Sequence, residues 1–303
     1  MTLQALVETG RIQREVDLGA LTTYRLGGPS SYFLDVATSE DLRRVSAALS
    51  RESHPILILG RGSNLVISER GFDGLVLRLG PEFGEINLGR ADGTVTVGGL
   101  ASLPQVARAA ASAGKRGLEF LIGVPGSTGG GVRQNAGCFG SEVADVLEAA
   151  LIFDLATGVE SQRVAANLEM SYRHTSVAST EVVLSALFKV TDGDASEGLD
   201  LIREHTRWRR LHQPGGTLNA GSVFKNPPGD SAGRIIDALG LKGLRVGGAE
   251  VSTKHANFFV AMPGARASHV YLLVKEVARR VEIETGTILE PELQFVGEFE
   301  SEP

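Results

Sequence analysis

Thirty-eight of the 303 residues are glycine, above the roughly 7% usual for proteins, and they gather in short loops. Clustered glycines mark tight turns, or backbone that must approach a ligand closely. The first cluster, Gly60-Arg61-Gly62-Ser63-Asn64, empties from the apolar run Pro55 to Leu59 and runs into Leu65. The second is Gly123-Val124-Pro125-Gly126-Ser127-Thr128-Gly129-Gly130-Gly131. In such loops backbone N–H groups converge on phosphate oxygens and form an anion nest. A dinucleotide fingerprint would need G-x-G-x-x-G between a strand and a helix. Gly60-x-Gly62 lacks the third glycine and is followed by a strand-like run. No G-x-x-x-x-G-K-[ST] string occurs. The sequence therefore points to two diphosphate-cradling loops outside that context, with a plain pair of glycine turns as the alternative.

Composition narrows the class. Apolar residues make up 42% and charged residues 22%, ordinary globular values. The net charge of -6 gives no bulk field for nucleic acid or an anionic membrane. Cys138 is the single cysteine, so neither an intrachain disulfide nor a cysteine-based zinc cluster is available. It is expected to pack as a small hydrophobe. The N-terminus lacks the apolar stretch of a signal peptide, and no run of 18 apolar residues exists, so no membrane span is expected. A soluble cytoplasmic protein with no obligate protein partner is expected.

Hydrophobic periodicity and caps sketch the elements. Strands are predicted at 31–36, 55–59, 65–67, 74–79, 93–97, 149–154, 182–190, 257–262 and 290–296. Thr38, with Asp41 three residues on, opens a helix. Ser102 caps a helix that Gly114 ends. A helix is predicted over 196–211, one from Ser231 to Leu239, and a longer one capped by Ser268 and stopped by Gly286. The composition changes near His212. A compact α+β unit follows, and its segment 217–260 holds five basic residues against three acidic ones. This predicts a locally positive surface suited to an anionic ligand, with the start of the Ser231 helix offered to phosphate.

At these loops the chain resembles a known family. Thr22-Thr23-Tyr24-Arg25-Leu26-Gly27-Gly28, Ile58 to Asn64, Gly123 to Ser127 and Asn135-Ala136-Gly137 match its motifs in order. So do Ser171-Tyr172-Arg173-His174-Thr175-Ser176, Ala220-Gly221-Ser222-Val223-Phe224-Lys225-Asn226-Pro227 and Leu289-Glu290-Pro291-Glu292-Leu293. The family is UDP-N-acetylenolpyruvoylglucosamine reductase (UDP-N-acetylmuramate dehydrogenase). The short stretch between Arg173 and Ser222 is similar to the subclass lacking an inserted, substrate-covering tyrosine segment. The resemblance spans about Thr22 to Val296. Arg133-Gln134 and Cys138-Phe139 depart from the more apolar or Tyr-containing strings of other members.

What the resemblance implies is specific. The fold would be α+β: a two-part FAD-binding domain of the vanillyl-alcohol-oxidase type, residues 1–80 joined by 286–303 and then 81–212, plus a smaller α+β substrate-binding domain over 213–285. The activity would be that of an NADPH-dependent flavin oxidoreductase of peptidoglycan precursor synthesis, reducing UDP-N-acetylglucosamine enolpyruvate. FAD would lie against Gly60, Arg61, Gly62, Ser63, Asn64, Leu65, Val124, Pro125, Gly126, Ser127, Asn135, Ala136 and Gly137. Arg173 resembles the cation that binds the substrate carboxylate, a task a planar, permanently charged guanidinium can do bidentately. Ser222 resembles the proton donor. Glu292 resembles the third polar residue, facing the same carboxylate and so expected to carry or share a proton. Tyr172, Arg210, Lys225 and Asn226 are the expected substrate contacts. His174 and His255 show no metal-ligand spacing, and no metal is expected. A different FAD oxidase would share the glycine loops, yet have no reason to carry the three later motifs. A flavin-binding module without chemistry would have no need of Arg173, Ser222 and Glu292 together.

Overall fold

The computed structural model describes residues 2–89 and 92–299. The chain divides into two compact units: one takes residues 1–14, 32–61 and 74–208, the other 15–31, 62–73 and 209–303.

In the first unit the alternating run after residue 93 forms Thr94–Gly98, a strand of an antiparallel sheet centred on Glu181–Lys189. Its strand order is Val159–Val164, Leu147–Asp154, Glu181–Lys189, Thr94–Gly98, Ile86–Asn87. Helix Leu103–Ser112 buries Leu103, Val106, Ala107, Ala110 and Ala111, the i, i+3, i+4 face its sequence displays. These residues share a core with Val95, Val97, Ile152, Ala186 and Phe188. A separate core gathers Leu34, Val36, Leu42, Val45, Leu75 and Leu77. It joins strands Pro29–Val36 and Phe72–Leu79 to helix Ser39–Leu49. Ile56–Ile58 pairs parallel with Phe72–Leu79. As the sequence predicts, the Thr38 N–H donates to Asp41 Oδ2 (3.0 Å) at the start of that helix.

Ser102 precedes the next helix without a side-chain cap. The first-turn amides are met elsewhere: Leu103 N–H donates to the Gly126 carbonyl, while Gln105 and Val106 donate to the Ser102 carbonyl. The position before the glycine-rich segment is thereby tied to the glycine loop itself. Inside that segment, Thr128–Arg133 is a short helix capped by Ser127, an element its three glycines and threonine conceal from propensity.

In the second unit a three-stranded antiparallel sheet, Arg245–Val246, Ala249–Val251 and Phe259–Ala261, packs with helices Ala232–Ala238 and Ala267–Thr285 around Val251, Phe259, Val270, Leu273, Val274 and Val277. The long helix begins at Ala267, so Ser268 lies inside its first turn. Its N–H and hydroxyl both donate to Glu69 Oε1, and the acceptor for the Arg266 N–H is His269 Nδ1. Gly286 ends the helix at φ 71°. Leu65–Ile67 pairs parallel with Gln294–Val296.

Tyr24 is fully buried in this core, and its hydroxyl donates to the Phe259 carbonyl at 2.9 Å. Burial pushes the phenol's pKa up, so the neutral donor persists in the folded chain where an exposed tyrosine ionises. A raised pKa contributes stability below the unfolded value, about 10, that is lost as pH rises beyond it. Tyr24→Phe leaves a buried carbonyl without this donor and should cost about 1–3 kcal/mol. Thermal melts should show the variant a few degrees lower at pH 7, with a shallower decline than the parent above pH about 10.

Candidate active site

Each glycine loop is shaped by contacts its sequence cannot display. At Gly60 a Cβ would stand 2.5 Å from Ser127 Oγ, so the two loops touch where Gly60 has no side chain. Gly62 adopts φ +61°, and a Cβ there would meet the Leu21 carbonyl oxygen at 2.3 Å. That carbonyl lies just before the Thr22 to Gly28 motif, and the Thr23 N–H donates to the Gly62 carbonyl (3.1 Å). Among the described residues, the backbone N–H groups of Gly60, Arg61, Gly62, Ser63 and Asn64 donate to no acceptor of the chain. The same is true of Gly126 and Ser127. Backbone donors left unmet in glycine turns are the donor set an anionic diphosphate requires, so these residues fit a dinucleotide cofactor.

Leu65 begins the strand that pairs with Gln294. Asn64 is fixed on both sides: its Nδ2 donates to the Glu292 carbonyl (2.9 Å), and its own carbonyl accepts from the Gln294 N–H (3.0 Å). The Glu292 N–H in turn donates to the Val223 carbonyl at 2.7 Å. Phe224 bridges Pro291. Residue by residue, this ladder places Ser222, Glu292 and Asn64 on neighbouring backbone in the second unit. Ser222 follows Gly221, which sits at φ +78°, and bridges Phe258. Asn257 locks the next turn: its Oδ1 accepts from the Phe224 N–H and its Nδ2 donates to the Phe224 carbonyl. A turn serine commonly satisfies its hydroxyl on nearby backbone. Among the described residues the half-buried Ser222 hydroxyl has no such bond, which leaves its proton available.

In the first unit Arg173 occupies the third position of a four-residue turn closed by Ser171 N–H to His174 carbonyl and His174 N–H to Ser171 carbonyl. Its φ is +56°, where glycine or asparagine is usual. Its Nη2 donates to the Gly137 carbonyl (3.2 Å) and its Nη1 reaches the Asn135 carbonyl (3.5 Å). Tyr172 lies 4.8 Å beneath the guanidinium, within cation–π range. Arg173, Tyr172, Asn135 and Gly137, read from separate motifs, are thus one cluster. Ala136 lies between those two carbonyls and gives its N–H to Gly131; Val124 gives its own to Leu121. Cys138 is half-buried, with its sulfur where a Cβ on Gly123 would fall.

The expected positive surface is largely neutralised. Lys225 pairs with Glu290, Arg234 with Asp230, Lys242 with Asp237 and Arg245 with Glu250. The last three pairs lie four or five residues apart, a spacing the sequence displays. Lys254 Nζ donates to the Arg210 carbonyl, and Arg210 is exposed. Nor is the start of helix Ala232–Ala238 open to phosphate. Asn226 Oδ1 accepts from the Ala232 N–H, Ser231 Oγ from Arg234 and Asp230 Oδ1 from Ser231. The Arg234 guanidinium and the Ser231 N–H hold the Asp230 carboxyl down at about 2, so an anion already sits there. His255 is pushed toward its neutral form, first by burial and then by Lys242. Among the described residues no group of three or more His, Cys, Asp or Glu is placed to hold a metal ion, and no helix is long and apolar enough to cross a membrane.

Residues 30–160 match the FAD-binding domain, and residues 213–296 match the C-terminal domain of UDP-N-acetylenolpyruvoylglucosamine reductase. The chain therefore carries a flavin-binding domain joined to a second domain found in one kind of reductase. UDP-N-acetylenolpyruvoylglucosamine reductase 2 of Symbiobacterium thermophilum is 42% identical over 295 residues, which cover 96% of this chain and 94% of the relative. The reductase of Acidiphilium cryptum is 40% identical, over 95% of this chain and 92% of its own. The crystal structure of the Thermus caldophilus reductase superposes with a TM-score of 0.82 at 38% identity, covering 95% of this chain and 99% of that one. The chain belongs to the UDP-N-acetylenolpyruvoylglucosamine reductase family.

Gly62→Ala forces a side chain into left-handed backbone, which costs about 1–2 kcal/mol, and drives its Cβ against the Leu21 carbonyl. The purified variant should carry less than half the parent's flavin per chain by absorbance, and should melt lower. A variant as yellow and as stable as the parent would contradict the loop's role.

Proposed function

We propose that the chain reduces UDP-N-acetylglucosamine enolpyruvate to UDP-N-acetylmuramate with NADPH, a step of peptidoglycan precursor synthesis in the bacterial cytoplasm. The observation that carries this is the family match along nearly the whole chain, with Arg173, Ser222 and Glu292 all present and each set by its own backbone geometry. In this reading residues 1–80 with 286–303, and residues 81–212, form the two parts of the flavin domain, and residues 213–285 the substrate domain. The pairing of Leu65–Ile67 with Gln294–Val296 supports assigning the C-terminal strand to the first part.

FAD would be held by the backbone of Gly60 to Leu65, of Val124 to Ser127 and of Asn135 to Gly137, and when bound it would supply the hydride, drawn from NADPH, that the terminal carbon of the enolpyruvyl group accepts. The electron pair of the double bond then moves to the carbon bearing the carboxylate. Arg173 holds that carboxylate and offsets the charge that develops, as preorganised donors do in other enzymes. The Ser222 Oγ–H delivers a proton to the same carbon, and solvent returns one to the serine. A serine hydroxyl is a weak acid and can donate only to a strongly basic carbon, which this step provides. Glu292 lies just before the C-terminal strand, where its N–H donates to the Val223 carbonyl, and in its protonated form it donates to the same carboxylate. Tyr172, Arg210, Lys225 and Asn226 contact the remainder of the substrate. Lys225 exchanges its partner Glu290 for a phosphate oxygen, and Asn226 contributes through its side-chain amide.

NADPH consumption should depend on the enolpyruvyl UDP-sugar. Positioned proton transfer contributes about 10²- to 10⁴-fold, so Ser222→Ala should lose that much turnover while NADPH still bleaches the flavin. Glu292→Gln keeps the shape of a neutral donor but cannot titrate. Its pH–rate profile should lose one limb, and an unchanged profile with full turnover would remove Glu292 from the chemistry.

A further inference from the structure

We propose that Asn135 acts, together with Arg133, as a positioning residue for Arg173, and that its side chain serves the substrate-binding turn rather than the flavin. This rests on the function proposed above. Asn135 is fully buried and adopts φ +42°, a conformation that asparagine tolerates better than other side-chain-bearing residues. Both ends of its amide are spent inside the chain. Nδ2 donates to the Ser171 carbonyl at 2.9 Å, and Oδ1 accepts from the Ala144 N–H at 2.8 Å. Its own carbonyl receives Arg173 Nη1, and the Gly137 carbonyl two residues on receives Nη2. One residue therefore fixes the turn that carries Arg173 and also supplies an acceptor for its guanidinium.

Arg133 repeats the device on the far side of that turn. Its half-buried guanidinium donates to the Val177 carbonyl (3.1 Å) and the Ala178 carbonyl (2.6 Å), while the Thr175 hydroxyl donates to the Arg133 carbonyl (2.8 Å). Residues 171 to 178 are thus held at both ends by Arg133 and Asn135, just after the second glycine loop. Arg173 needs such support, because its left-handed backbone is disfavoured for a residue with a Cβ and persists only where its surroundings over-determine it. The two carbonyl bonds orient the guanidinium fork.

The distinguishing variant is Asn135→Asp. It keeps the shape and the acceptor for Ala144, but it cannot donate to the Ser171 carbonyl and faces that oxygen with another. A double-mutant cycle with Arg173→Ala, scored as kcat/KM per bound flavin for the enolpyruvyl UDP-sugar, reads whether Asn135 works through Arg173. Asn135→Asp alone should lose at least tenfold, and Asn135→Asp/Arg173→Ala should be no worse than Arg173→Ala within about twofold. Losses that multiply, or a single variant of parental activity, would overturn the proposal. If the aspartate variant fails to accumulate, Asn135→Gly, which accepts φ +42° and removes both side-chain bonds, enters the same cycle with the same two outcomes. Failure of the parent to consume the substrate would overturn the functional reading instead, since the cycle is scored only against an active parent.

Discussion

Much of the site hangs on the side chain of Asn64 and the strand that follows it. Asn64 binds the Glu292 carbonyl, accepts from Gln294, and leads into Leu65–Ile67, which pairs with Gln294–Val296. The contact closes a loop of 228 residues. Closing so long a loop costs little more than closing one half its length, but it must be repaid by tertiary structure. Here the repayment is shared: Glu292 holds the Val223 carbonyl and Phe224 meets Pro291. A loop read as a cofactor cradle is thus also the anchor that fixes where Ser222 and Glu292 stand.

The first unit solves its half of the problem with carbonyls. Arg173 is the one catalytic candidate on strained backbone, and Asn135 and Gly137, just after the second glycine loop, turn two carbonyl oxygens toward it. Buried polar groups hold position well when each has a partner, and Asn135 meets that condition at donor and acceptor alike. The glycine-rich segment consequently has two tasks. Gly126 and Ser127 leave amides open, while Asn135 and Gly137 present carbonyls to an arginine.

The sequence displays some of this and conceals the rest for physical reasons. The glycine loops, the Thr38–Asp41 start, the amphipathic helix after Ser102 and the strand at Leu65 follow from composition and period, which are local. Motif resemblance named Arg173, Ser222 and Glu292. The ladder joining Val223 to Glu292 and Asn64 has no local signal, since register between distant strands is set by packing. Positive φ at Arg173 contradicts residue preference, and only the hydrogen bonds around it explain why it persists. Counting residues over 217–260 overstates the free positive charge, because Glu290, outside that segment, pairs with Lys225, while Arg234, Lys242 and Arg245 are each spent on an acid within it. The sequence points to the helix after Ser231 as a phosphate site, yet Asn226, Asp230 and Ser231 already occupy its amides. Helix-start residues at that spacing announce self-capping as readily as an anion site.

Reoxidation of the reduced flavin by substrate separates a reductase from a flavin-binding chain without this chemistry. The purified chain is reduced with one equivalent of NADPH without oxygen and mixed rapidly with the enolpyruvyl UDP-sugar. Flavin absorbance should return within the turnover time, and one lactyl ether should form per flavin. A flavin that stays bleached until oxygen is admitted would contradict the proposed reduction.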